Sequence, residues 1–189
     1  LFLLNNLSLT NIDEKLDAAR ELVTPELLHW LARYLVLERV SIEPNNHELY
    51  MQFLDGLEQP RVMVYVLHET YAKLKALLES DKTMQSSNER TVLKNLASWL
   101  GGVTLARNRP IRHRNVAFKT LLIQCHERER LIVAIPFVCK VLEQAANSDV
   151  FQPPNPWLMA VLRLLVELYH YADLKLNLKF EIEVLCKGL

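Results

Sequence analysis

An all-α protein built of antiparallel helix pairs is what this sequence predicts, and three observations predict it. Half of the 189 residues are hydrophobic, enough for a sizeable core, yet only 4 are glycine, against an average usage of about 7%. Glycine supplies positive-φ backbone at no steric cost, so its scarcity disfavours glycine-fingerprint nucleotide folds, many-hairpin β-sandwiches and linker sequence. Apolar residues also recur at helical spacing along the chain, with short Pro, Asn and Ser punctuation between the periodic runs.

The elements follow in order. Thr10-Asn11-Ile12-Asp13 resembles a capping box, after which Ile12, Leu16, Ala19 and Val23 share one helix face. Pro25 after Thr24 restarts a helix at once, because its missing N–H is not needed at the first position. That helix is predicted to about Glu38, with Leu27, Leu28, Leu31, Tyr34 and Leu35 inward. The stretch RVSIEPNN over 39–46 reads as a loop, since the residue before Pro44 is pushed out of the α region. Helices are then predicted over 47–58, 60–79 and 89–100, the last capped by Ser87 or Asn88 and stopped by Gly101-Gly102, and over 115–127. Two more flank Pro136 and end near Ala146. Asn155-Pro156 opens another over 156–171, and the final one spans about 176–187.

Trp30, Trp99 and Trp157 lie in apolar helical segments and are assigned to the core. No shift in composition marks a second domain, so one domain over 1–189 is expected. Its predicted architecture is a helical-repeat, HEAT-like solenoid of about five antiparallel helix pairs, with a compact helical bundle as the alternative.

Charge and motifs exclude several functions. Twenty-two Lys+Arg balance twenty-two Asp+Glu, so no chain-wide field draws nucleic acid or anionic lipid. The apolar run Leu131 to Val138 falls well short of the roughly 18 to 20 residues that cross a bilayer, and no membrane partner is expected. The opening LFLLNNLSL lacks a basic n-region and a cleavage site, and reads as core sequence of a longer chain. Cys125, Cys139 and Cys186 are odd in number and far apart, which predicts free thiols in a reducing, intracellular compartment.

Neither His68-Glu69 nor His126-Glu127 has the second histidine of a zinc helix. Glu181 and Glu183, two apart on a helix, point to different sides. No serine sits in GxSxG, and Cys125 and His126 diverge by about 100°. No catalytic, metal-ligating or cofactor-binding residue is predicted, and an enzyme is not expected.

Two stretches remain as candidate surfaces. From Arg107 to Arg130 seven basic residues stand against two acidic ones, a local charge of +5. Its densest part, RNRPIRHR, surrounds Pro110 and carries Arg107, Arg109 and Arg112. A solvated loop, a contact for an acidic protein and a contact for an RNA backbone are all compatible with it. No Phe, Tyr or Trp interleaves with the arginines of RNRPIRHR to stack bases, so an acidic protein patch is favoured and direct RNA binding is expected to be weak or absent. The second stretch, SIEPNNHELY, holds Glu43, Asn45, Asn46, His47 and Tyr50 on a proline turn beside a helix start. It either caps a repeat or meets a partner.

At the level of residues the chain resembles a known family. The stretches NNLSLTN (5–11), YLVLERVSIEPNNHELY (34–50), ETYAKLKALL (69–78), NLASWLGGVTLARNRPI (95–111), PFVCKVLE (136–143), VFQPPNPWLMAVLRLLVEL (150–168) and DLKLNLKFEIEVLCKGL (173–189) are similar to the middle segment of the large Not scaffold subunit of the Ccr-Not deadenylase complex. The resemblance implies a MIF4G-type domain, that of the middle of translation initiation factor four-gamma, with five HEAT-like helix pairs in a much larger scaffold protein. It also implies two partners, a Caf-type, DEDD-family poly(A) deadenylase and a DEAD-box RNA helicase that activates decapping. Other Ccr-Not subunits would attach elsewhere on the parent chain.

The implied role is non-catalytic: holding nuclease and helicase together and favouring a helicase arrangement competent for ATP hydrolysis. The implied location is the cytoplasm, including mRNA-processing bodies, and also the nucleus. Arg39, Glu43, Asn45, His47 and Tyr50 are the residues expected on the helicase surface, with Arg107, Arg109 and Arg112 adding charge. Two places depart from the family: Asn46 stands where animal relatives tend to carry an aromatic residue, and 111–130 is more basic and lacks an acidic residue near His113.

Overall fold

The computed structural model describes residues 1–189, and the all-α expectation holds. The helices are α1 (Phe2–Asn5), α2 (Ile12–Leu22), α3 (Leu28–Tyr34), α4 (His47–Gly56), α5 (Val62–Glu79), α6 (Asp81–Gln85), α7 (Ser87–Val103), α8 (Phe118–Glu127), α9 (Leu131–Glu143), α10 (Pro156–Tyr171) and α11 (Leu176–Gly188). Short 3-10 turns occupy Pro25–Leu27, Pro44–Asn46, Leu105–Arg107 and Gln144–Asn147. The chain forms two compact units, Leu1–Lys73 and Leu74–Leu189.

In the first unit the core is built by Leu28, Leu31, Leu35, Val36 and Val40 with Tyr50, Phe53 and Leu54 of α4. Several local expectations change. The Thr10 capping box does not form. Asn11 precedes α2 without capping it, its Oδ1 accepting instead from the Ser8 N–H at 2.8 Å and its Nδ2 donating to the Asn6 carbonyl at 2.7 Å. Leu27 is exposed, and Tyr34 is half-buried because its hydroxyl reaches Asn5 Oδ1 at 2.7 Å. Beyond Tyr34 the helix widens into a π-turn over Leu35–Val40, where the Ser41 N–H donates to the Val36 carbonyl, five residues back, at 3.2 Å. Helical backbone therefore continues past Glu38 and brings Arg39 toward the Pro44 turn.

The second unit is organised around α9, which buries ten of its thirteen residues and carries α7, α8 and α11 against it. Pro136 does not divide it. An interior proline costs about 3 kcal/mol in a helix, and each large apolar side chain fully buried returns about 1.5–3 kcal/mol, so α9 stays continuous. Gly101-Gly102 does not stop α7 either. Both are buried, and a Cβ on Gly101 would lie 2.5 Å from the Val141 carbonyl oxygen, so this glycine permits the close approach of α7 to α9. The cap of α7 is Ser86, whose hydroxyl accepts from the Glu89 N–H. Asn155 caps α10 as expected, its Oδ1 accepting from the N–H groups of Trp157 and Leu158. Of the three tryptophans Trp99 is core and Trp157 half-buried, whereas Trp30 is 47% exposed and stacks on Tyr34, with ring centroids 5.8 Å apart.

Candidate functional site

The Pro44 loop joins the π-turn to α4. Because Pro44 begins a 3-10 turn that hands over directly to α4 at His47, Tyr50 comes back beneath Glu43. Glu43 collects three donors. Arg39 Nη2 lies 3.1 Å from its Oε1, Asn46 Nδ2 donates to Oε2 at 3.2 Å, and the Tyr50 hydroxyl donates to the same oxygen. Arg39 Nε also donates to the Tyr50 oxygen at 3.3 Å. Burial, reinforced by the Glu43 carboxylate, holds the Tyr50 phenol above its ordinary pKa, so it stays a donor. For Arg39 burial pulls the other way, but Tyr50 and Glu43 outweigh it and raise its pKa.

His47 is buried and its Nε2–H donates to the Val40 carbonyl at 2.9 Å. Burial lowers its pKa, opposed in part by that hydrogen bond. The structure thus brings Arg39, Glu43, Asn46 and Tyr50 together and leaves Asn45 exposed. Tyr50, at 1% exposure, and His47, both expected on the helicase surface, lie beneath the loop and position it.

The arginine loop is held differently. Asn108 adopts the left-handed conformation at φ 59°, a state that asparagine tolerates better than most residues. Its Oδ1 accepts from Ser148 Oγ at 2.9 Å, the Asp149 N–H at 3.0 Å and the Val150 N–H at 3.3 Å. The Arg109 N–H donates to the Thr104 carbonyl, Ile111 is buried, and the Arg112 carbonyl accepts from the N–H groups of Asn115 and Val116. With the backbone fastened in this way, Arg109, Arg112 and Arg114 are exposed and pair with no carboxylate, while Arg107 is half-buried and bonded.

The basic block does not act as one patch. Arg130 spends its guanidinium on Asp81 at 2.8 Å and on the carbonyls of Leu78 and Ser80. Aromatic company does reach the loop, contrary to the reading of the linear sequence. Phe118, which opens α8, packs edge-on to Trp157 with centroids 5.7 Å apart, and Trp157 packs edge-on to Phe151 at 5.9 Å. Phe151 and Trp157 are missed from sequence because about forty residues separate them from the arginines. Asn108, not singled out from the sequence, carries a usable signal, since asparagine is suited to a left-handed turn.

One further surface was missed. On α11, Leu176, Phe180 and Val184 recur every four residues and are all exposed, leaving an apolar stripe uncovered. The Cys125 and Cys139 thiols are buried, and burial pushes both pKa values up, which makes them poor nucleophiles.

Loops with polar and charged faces, presented by a buried helical frame, define an all-helical domain of the kind that offers surfaces to partners. Residues 1–189 match the family model described as the CCR4-NOT transcription complex subunit 1 CAF1-binding domain, and the chain belongs to that family. It is 47% identical over 189 residues to General negative regulator of transcription subunit 1 of Schizosaccharomyces pombe and 43% identical over 188 residues to the protein of that name in Saccharomyces cerevisiae. It is 41% identical over 196 residues to CCR4-NOT transcription complex subunit let-711 of Caenorhabditis elegans. Each alignment covers all of this chain but only 9%, 9% and 7% of those relatives, respectively.

Proposed function

We propose that the chain is a docking platform that binds the Caf-type poly(A) deadenylase and, on a second surface, a DEAD-box RNA helicase, linking mRNA deadenylation to translational repression and decapping. The observation that carries the nuclease part is the match of the whole chain to a family described by its binding of CAF1. The exposed stripe Leu176, Phe180 and Val184 supports it, since an uncovered apolar face on a folded domain is the usual core of a protein interface. The helicase surface is the Pro44 loop, with Arg39, Glu43 and Asn45 presented and His47 and Tyr50 beneath. The arginine loop is left out of it, because Phe118, Phe151 and Trp157 stand beside that loop. In this reading residues 1–189 are one MIF4G-like HEAT-repeat domain of a larger scaffold protein, which works in the cytoplasm, in mRNA-processing bodies and in the nucleus.

Size-exclusion chromatography with light scattering, on the chain mixed with the nuclease, tests the first contact. A one-to-one complex is expected, and Phe180→Asp should weaken it at least about tenfold with the fold intact. Two separate peaks at micromolar concentration would sink the proposal.

A further inference from the structure

We propose that the arginine loop and the aromatic cluster beside it form a binding surface for single-stranded RNA, separate from the nuclease and helicase contacts. The geometry closes a ring. Asn108 clamps the loop to Ser148, Asp149 and Val150, and the next residue is Phe151. Phe151 meets Trp157, Trp157 meets Phe118, and Phe118 follows the arginine loop directly in sequence. Charge and rings therefore share one edge of the second unit.

Each component suits a single strand. Arg109, Arg112 and Arg114 carry planar, unpaired guanidiniums whose fork geometry matches phosphate, and Lys119 adds an exposed cation at the start of α8. Phe118 is buried beneath the cluster, while Phe151 and Trp157 are half-buried and fixed by their mutual packing. Bases of a single strand stack on such rings whatever their identity, whereas duplex bases are already stacked and cannot. The backbone of the loop is ordered beforehand by Asn108 and Ile111, so binding forfeits little conformational entropy. One carboxylate, Asp149, stands at this edge, 3.4 Å from Asn108 Nδ2. An acidic protein would use the arginines equally well but would gain nothing from the rings, and that difference favours RNA.

The test is fluorescence anisotropy of a labelled oligo(A) of about 12 nucleotides with the 189-residue chain, between about 50 and 200 mM KCl. Single-stranded RNA should bind more tightly than the same strand paired with oligo(U). R109A/R112A/R114A should lose at least about tenfold in affinity at the lowest salt and flatten the log–log salt slope by about 2, at roughly 0.7 per phosphate contact. Phe151→Ala should weaken binding at every salt concentration with the slope kept, and Phe151→Leu, which preserves burial, should do the same if the parent variant folds poorly. R109K/R112K/R114K should retain the slope. An unchanged slope in the folded triple alanine variant overturns the proposal. So does displacement of the RNA by a polyglutamate peptide at equal concentration together with no effect of either Phe151 variant, which would make the edge an acidic-protein contact. None of these readings depends on nuclease or helicase docking.

Discussion

The Pro44 loop and the arginine loop have similar polar compositions and opposite economies of charge. In the first, Arg39, Glu43 and Tyr50 satisfy one another, and a carboxylate, a guanidinium and a phenol are consumed in fastening the turn to α4. In the second the fastening is done by an amide, Asn108, and by an apolar plug, Ile111, so that Arg109, Arg112 and Arg114 remain free. The surroundings match: residues 1–73 hold six Lys+Arg and eleven Asp+Glu, and residues 74–189 hold sixteen and eleven. Arg39 and Glu43 thus meet a partner as a fastened pair, whereas Arg109, Arg112 and Arg114 meet one unpaired.

That contrast can be broken or sharpened by substitution. The largest effect is expected for Tyr50→Ala, which empties a core position and leaves Glu43 and Arg39 short of a partner, for a loss of about 3–5 kcal/mol in urea unfolding. Tyr50→Phe keeps the packing, so a loss as large as that of Tyr50→Ala would show that the hydrogen bonds and not the ring dominate. Asn108→Ala comes next, at about 1–3 kcal/mol, because three donors lose their acceptor and alanine must hold a positive φ. Asn108→Gly should recover part of that loss, and if it recovers none the backbone conformation is not the issue.

A smaller effect follows from His47. Its folded pKa lies below the ordinary 6.5, so between those values the unfolded chain binds more protons. Stability from this group is complete above about pH 6.5 and falls as pH drops below it until the folded pKa is reached. Unfolding midpoints at about pH 7.5 and about pH 5.5 should therefore differ more in the native chain than in His47→Gln. The smallest effect is expected for R109A/R112A/R114A, which should leave the urea midpoint where it is, since none of the three makes an ion pair. A clear loss there would mean that the arginines hold the loop after all.

Much of the helical frame was legible in the linear chain. α10 begins where Asn155-Pro156 places it, α11 spans nearly the expected residues, and the Pro44 turn lies where the proline puts it. The misreadings share a cause. Pro136 and Gly101-Gly102 look like helix breaks by local preference, but the burial of α9 and its close contact with α7 reverse both. Trp30 looks like core by its apolar neighbours, yet it lies on the outer face of α3. Of the candidate residues, the Pro44 loop was legible as a unit, while the burial of Tyr50 and His47 was not.

By itself the sequence determined the helices, their proline and asparagine starts, and the two loops of unusual chemistry, because periodicity, capping and proline geometry act within a few residues. Tertiary structure alone decided which charges are spent and which are free, and which aromatic rings stand beside the arginines. Those outcomes depend on groups seven to about forty residues apart meeting at hydrogen-bond or ring-contact distance. No local preference encodes such a meeting, and only the packing of one helix on another brings it about.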